Sequence, residues 1–337
     1  MKVCFFVMLL LFCNRLNGLS VINNINRPKN GVSIIKKNKT LNNIKKKTGS
    51  FLNIIRAHNI IPTLFLSFTG GWIVNPSIKQ LLSSPKFIVS SINAVSVMSI
   101  SMIINDLFDL DIDKINNPKR PLVTGEVTKK EAIVYNCLLV ALTEILSFKY
   151  LTPELNIFVN LALLNVTIYT PVLKRILFIK NLSCAFLVSF SIFFSGLASI
   201  SLHTLSLNNK SRSLLWVAAR TIFMGSLFNE LLLDMHDYEG DKQNNIHTFP
   251  VVFGLNKSWV LANIIMKINI LWNSLQIMYL FDFQIGIILL FILSPVLYNL
   301  KNIKNDGFSK DSIIKSIKET NAPLFILLIY LCILTKI

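Results

Sequence analysis

The sequence predicts an all-α membrane protein of about nine transmembrane helices, on three observations. The 337 residues are 53% hydrophobic and only 15% charged, with a mean hydropathy of +0.57, a composition outside the soluble range. Apolar runs near the ~20 residues that a helix needs to cross a bilayer recur from residue 54 to the end of the chain. Backbone groups in lipid must be satisfied internally, so runs of this length read as helices rather than the short alternating strands of a barrel.

The first run spans Ile54 to Val74, with Arg56, His58 and Asn59 near its start and a Gly70-Gly71 pair suited to close helix packing. The others are Phe87 to Ile104, Ala132 to Leu146, Ile157 to Leu173, Leu182 to Leu202, Leu214 to Leu233, Trp259 to Leu280, Ile285 to Leu297 and Ala322 to Leu334. The third, eighth and ninth are short and must borrow flanking residues to span. Lys301 to Asn321 reads as a solvated, mixed-charge loop carrying a short helix. No internal repeat of the solenoid kind is present.

Residues 1–50 differ in kind. Lys2 precedes an apolar run from Val3 to Cys13 that is too short to span, followed by the small-residue end Asn17-Gly18-Leu19-Ser20. This is the pattern of a signal peptide. A tract rich in Lys, Asn and Ser without acids follows, as in a transit peptide. Together they resemble the bipartite leader of a plastid protein, with a secretory signal to the endomembrane system as the alternative. The expected division is therefore a leader over 1–50 and a membrane domain over 51–337. The leader holds ten Lys or Arg and no acid, so it supplies +10 of the net +17 and leaves +7 for the rest. No basic stripe interleaved with aromatics occurs outside it, so nucleic acid is not an expected partner. The five cysteines are scattered and form no CxxC pair, which implies neither a disulfide framework nor a zinc site.

The stretch with most chemistry is Asn105 to Gly125, NDLFDLDIDKINNPKRPLVTG. On a continued helix Asn105, Asp109 and Asp113 fall at i, i+4 and i+8, near one face, with Asp106 beside it and Asp111 away. Such charge at the mouth of a membrane helix is costly unless a cation neutralises it. Mg²⁺ takes oxygen ligands and commonly bridges carboxylates to substrate phosphates. A second cluster, Asp234, Asp237 and Asp241 at i, i+3 and i+7, closes the sixth run. The two clusters end runs four spans apart, and an even number of crossings returns them to one side of the membrane. Lys114, Lys119, Arg120 and Lys242 stand alongside as candidate phosphate contacts.

NDLFDLDID fits the NDxxDxxxD pattern of the UbiA superfamily of intramembrane prenyltransferases, and INNPKRPLVTGEVT resembles its continuation. DMHDYEGDKQNNIHTFPVVFG resembles the second motif of that family. YTPVLKR at Tyr169 to Arg175 resembles its Tyr-x-x-x-Leu-Lys-Arg, and Arg56, His58 and Asn59 its entry to the first helix, with Ala57 where Pro is usual. The resemblance covers residues 51–337. It implies a helical bundle with a central cavity, Mg²⁺, and a prenyl diphosphate donor of geranylgeranyl or phytyl type. By position it implies Asn105, Asp106, Asp109 and Asp113 as ligands of the first motif, and Asp237 and Asp241, assisted by Asp234, as ligands of the second. Asp109, Asp113, Asp237 and Asp241 are the implied catalytic set. Arg120, Lys174, Lys242, Asn59 and Arg56 are the implied diphosphate contacts. Leu233 stands where some branches carry Lys, a departure from the lipid-ether branch, and with the plastid reading of the leader the expected acceptor is a chlorophyllide or an aromatic quinone precursor. A membrane terpene cyclase would share every motif. A transporter would instead carry its charges mid-helix.

Overall fold

Polar residues that precede the apolar runs start the helices. Ser84 accepts a hydrogen bond from the Phe87 N–H at 3.4 Å, and Pro85 occupies the first helical position, where a missing N–H costs nothing. Thr128 and Glu131 form a reciprocal capping box. Asp282 and Ser309 cap two further helices through the N–H groups of Ile285 and Ser312. The computed structural model describes residues 47–200, 209–243 and 246–336, so the leader expected over 1–50 lies outside the described residues except for its last four.

The helices are α1 (Lys47–Ile54), α2 (Ile60–Val74), α3 (Ile78–Ser83), α4 (Pro85–Phe108), α5 (Leu110–Asn116), α6 (Lys129–Tyr150), α7 (Pro153–Tyr169), α8 (Ile179–Ala198), α9 (Asn209–His236), α10 (Tyr238–Gln243), α11 (Phe249–Phe253), α12 (Leu255–Leu280), α13 (Phe283–Asn305) and α14 (Lys310–Leu334). No strand occurs among the described residues. Among the described residues six helices are long and apolar enough to cross a membrane, and α1 with α2, bent by 58°, makes a seventh if the pair is one span. At 17 residues α7 falls short of that test, and Arg220 and Glu230 dilute the apolar run of α9. Length and composition alone therefore mark six or seven spans among the described residues, where nine were expected.

Two boundaries differ from the sequence reading. The fourth run stops at Tyr169, and YTPVLKR continues into a 3-10 turn over Leu173–Arg175. Of the stretch Lys301 to Asn321 only Asp306 to Ser309 is loop: α13 extends to Asn305 and α14 starts at Lys310. Ile313, Ser316 and Thr320 are buried at helical spacing there, while Lys315 and Lys318 stay on the outer face, so an amphipathic stripe extends the apolar run.

The largest core joins α2, α8, α9, α12, α13 and α14 through Ile73, Ile192, Phe228, Met266, Leu293 and Leu327. A second unites α4, α7 and α8 around Ile100, Val159 and Phe194. A third seats Leu122 and Val127, after α5, against Ile54 and Ile103. The outer face of α6 stays apolar and bare, with Phe148 86% exposed, as a lipid-facing helix requires.

Gly70 lies where α2 and α8 touch. A Cβ there would collide with the Ile192 carbonyl, and Gly196 approaches the Gly70 carbonyl from the other side. Gly70→Ala is therefore expected to destabilise the bundle by about 1–3 kcal/mol through overpacking. Gly225→Ala, where a Cβ meets only Leu324 at 3.4 Å, is the near-neutral control. Thermal unfolding of both in detergent checks the difference.

Candidate active site

Each acidic motif is split by a helix break at its middle aspartate. Asp109 sits between α4 and α5, with φ −89° and ψ 8°, and Asp237 lies in the turn between α9 and α10. The uninterrupted helical face expected for either motif is thus not what forms. Three non-glycine residues take a left-handed conformation, among them Arg56 (φ 52°) before α2 and Phe178 (φ 64°) before α8. Such positions persist only where surrounding contacts over-determine them.

Around the first motif, Asp106 is buried and its Oδ1 accepts from Arg56 Nη2 at 3.2 Å and from Arg120. Asp113 is also buried. Its Oδ1 accepts from Asn117 Nδ2 at 2.9 Å, and Oδ2 faces Arg120 Nε at 3.4 Å without a hydrogen bond. Lys174 pairs with Asp109 and reaches Asn105 Oδ1 at 3.5 Å. Asn59 caps the approach to α2 with its backbone: its carbonyl accepts from Thr63 Oγ1 at 2.8 Å. A pocket of about 460 Å³ opens beside this cluster, lined by Arg56, His58, Lys119 and Arg120 among others.

In the second motif, Asp234 is buried, and Lys180 Nζ lies 2.6 Å from its Oδ1 while Asn181 Nδ2 donates to Oδ2 at 2.9 Å. Asp237 is exposed and lies 2.7 Å from His236 Nδ1. Burial pushes the Asp241 carboxyl up from its ordinary range against the pull of Lys180. Lys242 lies over the Tyr238 ring at 5.8 Å and Lys114 pairs with exposed Asp111 at 2.6 Å. Neither forms an ion pair with the motif carboxylates implied as ligands.

Lys174 in the connector from α7 to α8 and Lys180 in the first turn of α8 therefore bring one lysine to each motif, Lys174 to the first and Lys180 to the second. This sets both motifs on one side of the bundle. Lys180, Asn181 and Asn117 were not among the expected site residues. The signal for the first two is the Lys180-Asn181 pair closing a basic stretch at the start of an otherwise apolar helix. Among the described residues no three His, Cys, Asp or Glu side chains gather into a metal cluster; Arg or Lys side chains pair with Asp106, Asp109, Asp113 and Asp234 instead. The donors are nonetheless all oxygen, and Asp113 Oδ2 is buried without a hydrogen bond, which suits a hard divalent ion.

The model of the UbiA prenyltransferase family matches residues 60–315. The digeranylgeranylglyceryl phosphate synthase of Methanosphaera stadtmanae is 31% identical over 195 residues, 58% of this chain and 67% of that protein. Its counterpart from Sulfolobus acidocaldarius is 29% identical over 272 residues, 79% of this chain and 92% of that one. A solved structure of a digeranylgeranylglyceryl phosphate synthase superposes with a TM-score of 0.67 at 22% identity, covering 85% of this chain and 98% of the other. A UbiA homologue from Archaeoglobus fulgidus bound to DMAPP and Mg²⁺ gives 0.62 at 18% identity, over 86% and 99%. At such identities the two structures speak for the fold: this helical arrangement is theirs.

Proposed function

This chain belongs to the UbiA prenyltransferase family, and on that premise we propose that it transfers a geranylgeranyl- or phytyl-type group from its diphosphate to a lipophilic acceptor with the help of Mg²⁺. It is an integral membrane protein and a prenyltransferase. The observation that supports the finer reading is that Lys174, in the α7–α8 connector, pairs with Asp109 of the first motif, while Lys180, in the first turn of α8, pairs with Asp234 of the second.

Asn105, Asp106, Asp109 and Asp113 of the first motif and Asp234, Asp237 and Asp241 of the second are the residues that would hold Mg²⁺. When bound, the ion neutralises the charge that develops on the departing diphosphate. Arg56, Arg120 and Lys174, with Asn59 and Lys242, take the phosphate oxygens. Arg120 and Lys174 exchange carboxylate partners for phosphate ones as the donor enters. The surrounding apolar helices keep water from the allylic carbon. The allylic C–O bond breaks, the diphosphate leaves with the bonding pair, and an acceptor oxygen or carbon forms the new bond and releases its proton.

The relatives' names favour an acceptor of the glyceryl phosphate kind, whose hydroxyl receives a geranylgeranyl group. Its phosphate suits the His58 and Lys119 side of the pocket beside the first motif, which the donor diphosphate does not use. Leu233 lacks the lysine of some branches, but Lys180 brings a cation to the neighbouring Asp234. Chlorophyllide and quinone-precursor acceptors rest on the plastid reading of residues 1–50, which a fluorescent fusion of that segment tests by where it localises. The central experiment supplies reconstituted protein with Mg²⁺, labelled geranylgeranyl diphosphate and a panel of geranylgeranylglyceryl phosphate, chlorophyllide and homogentisate. Prenylated glyceryl phosphate is the expected product. A cyclised hydrocarbon formed without acceptor would make the chain a cyclase, and no turnover of any allylic diphosphate refutes the reading.

A further inference from the structure

Arg220 lies well inside α9, eleven residues from its start at Asn209. Its Nε donates to Asn273 Oδ1 at 3.0 Å and its Nη2 to the same oxygen at 2.7 Å. Nη2 also donates to Gln276 Oε1, and the guanidinium lies 5.0 Å from the centre of the Trp272 ring. The partners are fixed in turn: Asn273 Nδ2 donates to Asn269 Oδ1 at 2.7 Å, and Asn269 Nδ2 to the Thr221 carbonyl at 3.2 Å. The guanidinium is therefore held in place, but entirely by neutral groups.

No ion pair among the described residues includes Arg220. The remaining residues, 1–46, 201–208, 244–245 and 337, contain no Asp or Glu, so no carboxylate side chain of the protein answers this charge. A cation at membrane depth without a counter-charge is costly.

The depth follows from the packing. α12 runs antiparallel to α9, since Thr221 meets Asn269 and Lys210 lies over the Phe281 ring at 4.9 Å. Leu280 thus ends α12 on the side away from the two acidic motifs, and Gln276 lies four residues, about 6 Å, before that end. Beside the guanidinium, Ile268, Leu271, Trp272, Leu275, Gln276 and Tyr279 line a groove of about 570 Å³ on the outer surface of α12. Trp272 is 59% and Tyr279 88% exposed, and such aromatics belong at the membrane interface.

We infer that this groove seats an anionic phospholipid of the leaflet opposite the acidic motifs. Its phosphate meets Arg220 beside Gln276 and Tyr279, and an acyl chain runs along Leu275, Leu271 and Ile268 toward the bilayer centre. The held cation selects an anion, and the apolar stripe leading inward from it selects a lipid over a free phosphate.

The protein contains four tryptophans, so brominated lipids report occupancy by quenching. Reconstituted in phosphatidylcholine vesicles, it is expected to be quenched by dibromo-phosphatidylglycerol at about fivefold lower mole fraction than by dibromo-phosphatidylcholine. The preference should vanish in Arg220→Gln and persist in Lys210→Gln. Equal quenching by the two lipids in the unaltered protein overturns the proposal, however the variants fold. So does a preference that survives Arg220→Gln or is lost equally in Lys210→Gln. Inorganic phosphate at millimolar concentration should not relieve the quenching; relief would mean a site for the free anion instead.

Discussion

Asp109→Ala is expected to lower prenyl transfer by about 10²–10³-fold, the scale seen when one preorganised electrostatic group is removed from an active site. Asp109 occupies the break between α4 and α5, half-buried, with Lys174 against it. Its removal takes one oxygen ligand from the first motif and leaves Lys174 with only Asn105 at 3.5 Å. The helices on either side make their cores through other residues, Ile100 and Ile103 among them, so the fold should persist. Asp237→Ala should cost as much, because Asp237 holds the equivalent break before α10 and its exposed carboxylate contributes little packing. Asp111→Asn is the control: Asp111 is exposed and pairs only with Lys114, so turnover should stay within about twofold, as surface ion pairs of this kind are weak. Initial rates with labelled geranylgeranyl diphosphate at saturating Mg²⁺, with circular dichroism on each variant, make the comparison. If Asp109→Ala and Asp237→Ala both keep full activity, the two-motif site is refuted.

The helical membrane class was legible because hydropathy alone sets it, and the positions of the motifs because they end apolar runs. The breaks at Asp109 and Asp237 were not. A polar stretch carries no hydrophobic phase, so a continued helix and a kinked one read alike there. The start of α14 was missed because Lys and Glu residues on its outer face mask the buried positions Ile313, Ser316 and Thr320. Lys174 was found through its motif, but Lys180 was hidden: its partner Asp234 lies 54 residues downstream, and only the packing of α8 on α9 joins them. Arg220 has the same character. Nothing near it in sequence shows that its partners are Asn273 and Gln276 on another helix. The individual charges were plain in the sequence, whereas the pairing of charges between helices was not.

That pairing makes Lys180→Met the substitution with the largest expected effect on stability. The Asp234 side chain is 6% exposed and that of Lys180 18%, so solvent screens the pair little. Removing the lysine leaves a buried carboxylate facing only the Asn181 amide, at 2.9 Å. Breaking one side of a buried pair costs about 3–5 kcal/mol, because the remaining charge is uncompensated. In EDTA the variant should unfold at a markedly lower temperature than the unaltered protein in the same detergent at the same scan rate. Adding Asp234→Asn should recover most of the loss, since the amide carries no charge to strand. This non-additivity is the signature of a direct interaction. Mg²⁺ with a non-hydrolysable prenyl diphosphate analogue should also narrow the gap between Lys180→Met and the unaltered protein, because ligand binding to the folded state adds stability and supplies at Asp234 the positive charge the lysine gave. A Lys180→Met protein as stable as the unaltered one, with or without the ligand, would show that the start of α8 does not hold the second motif.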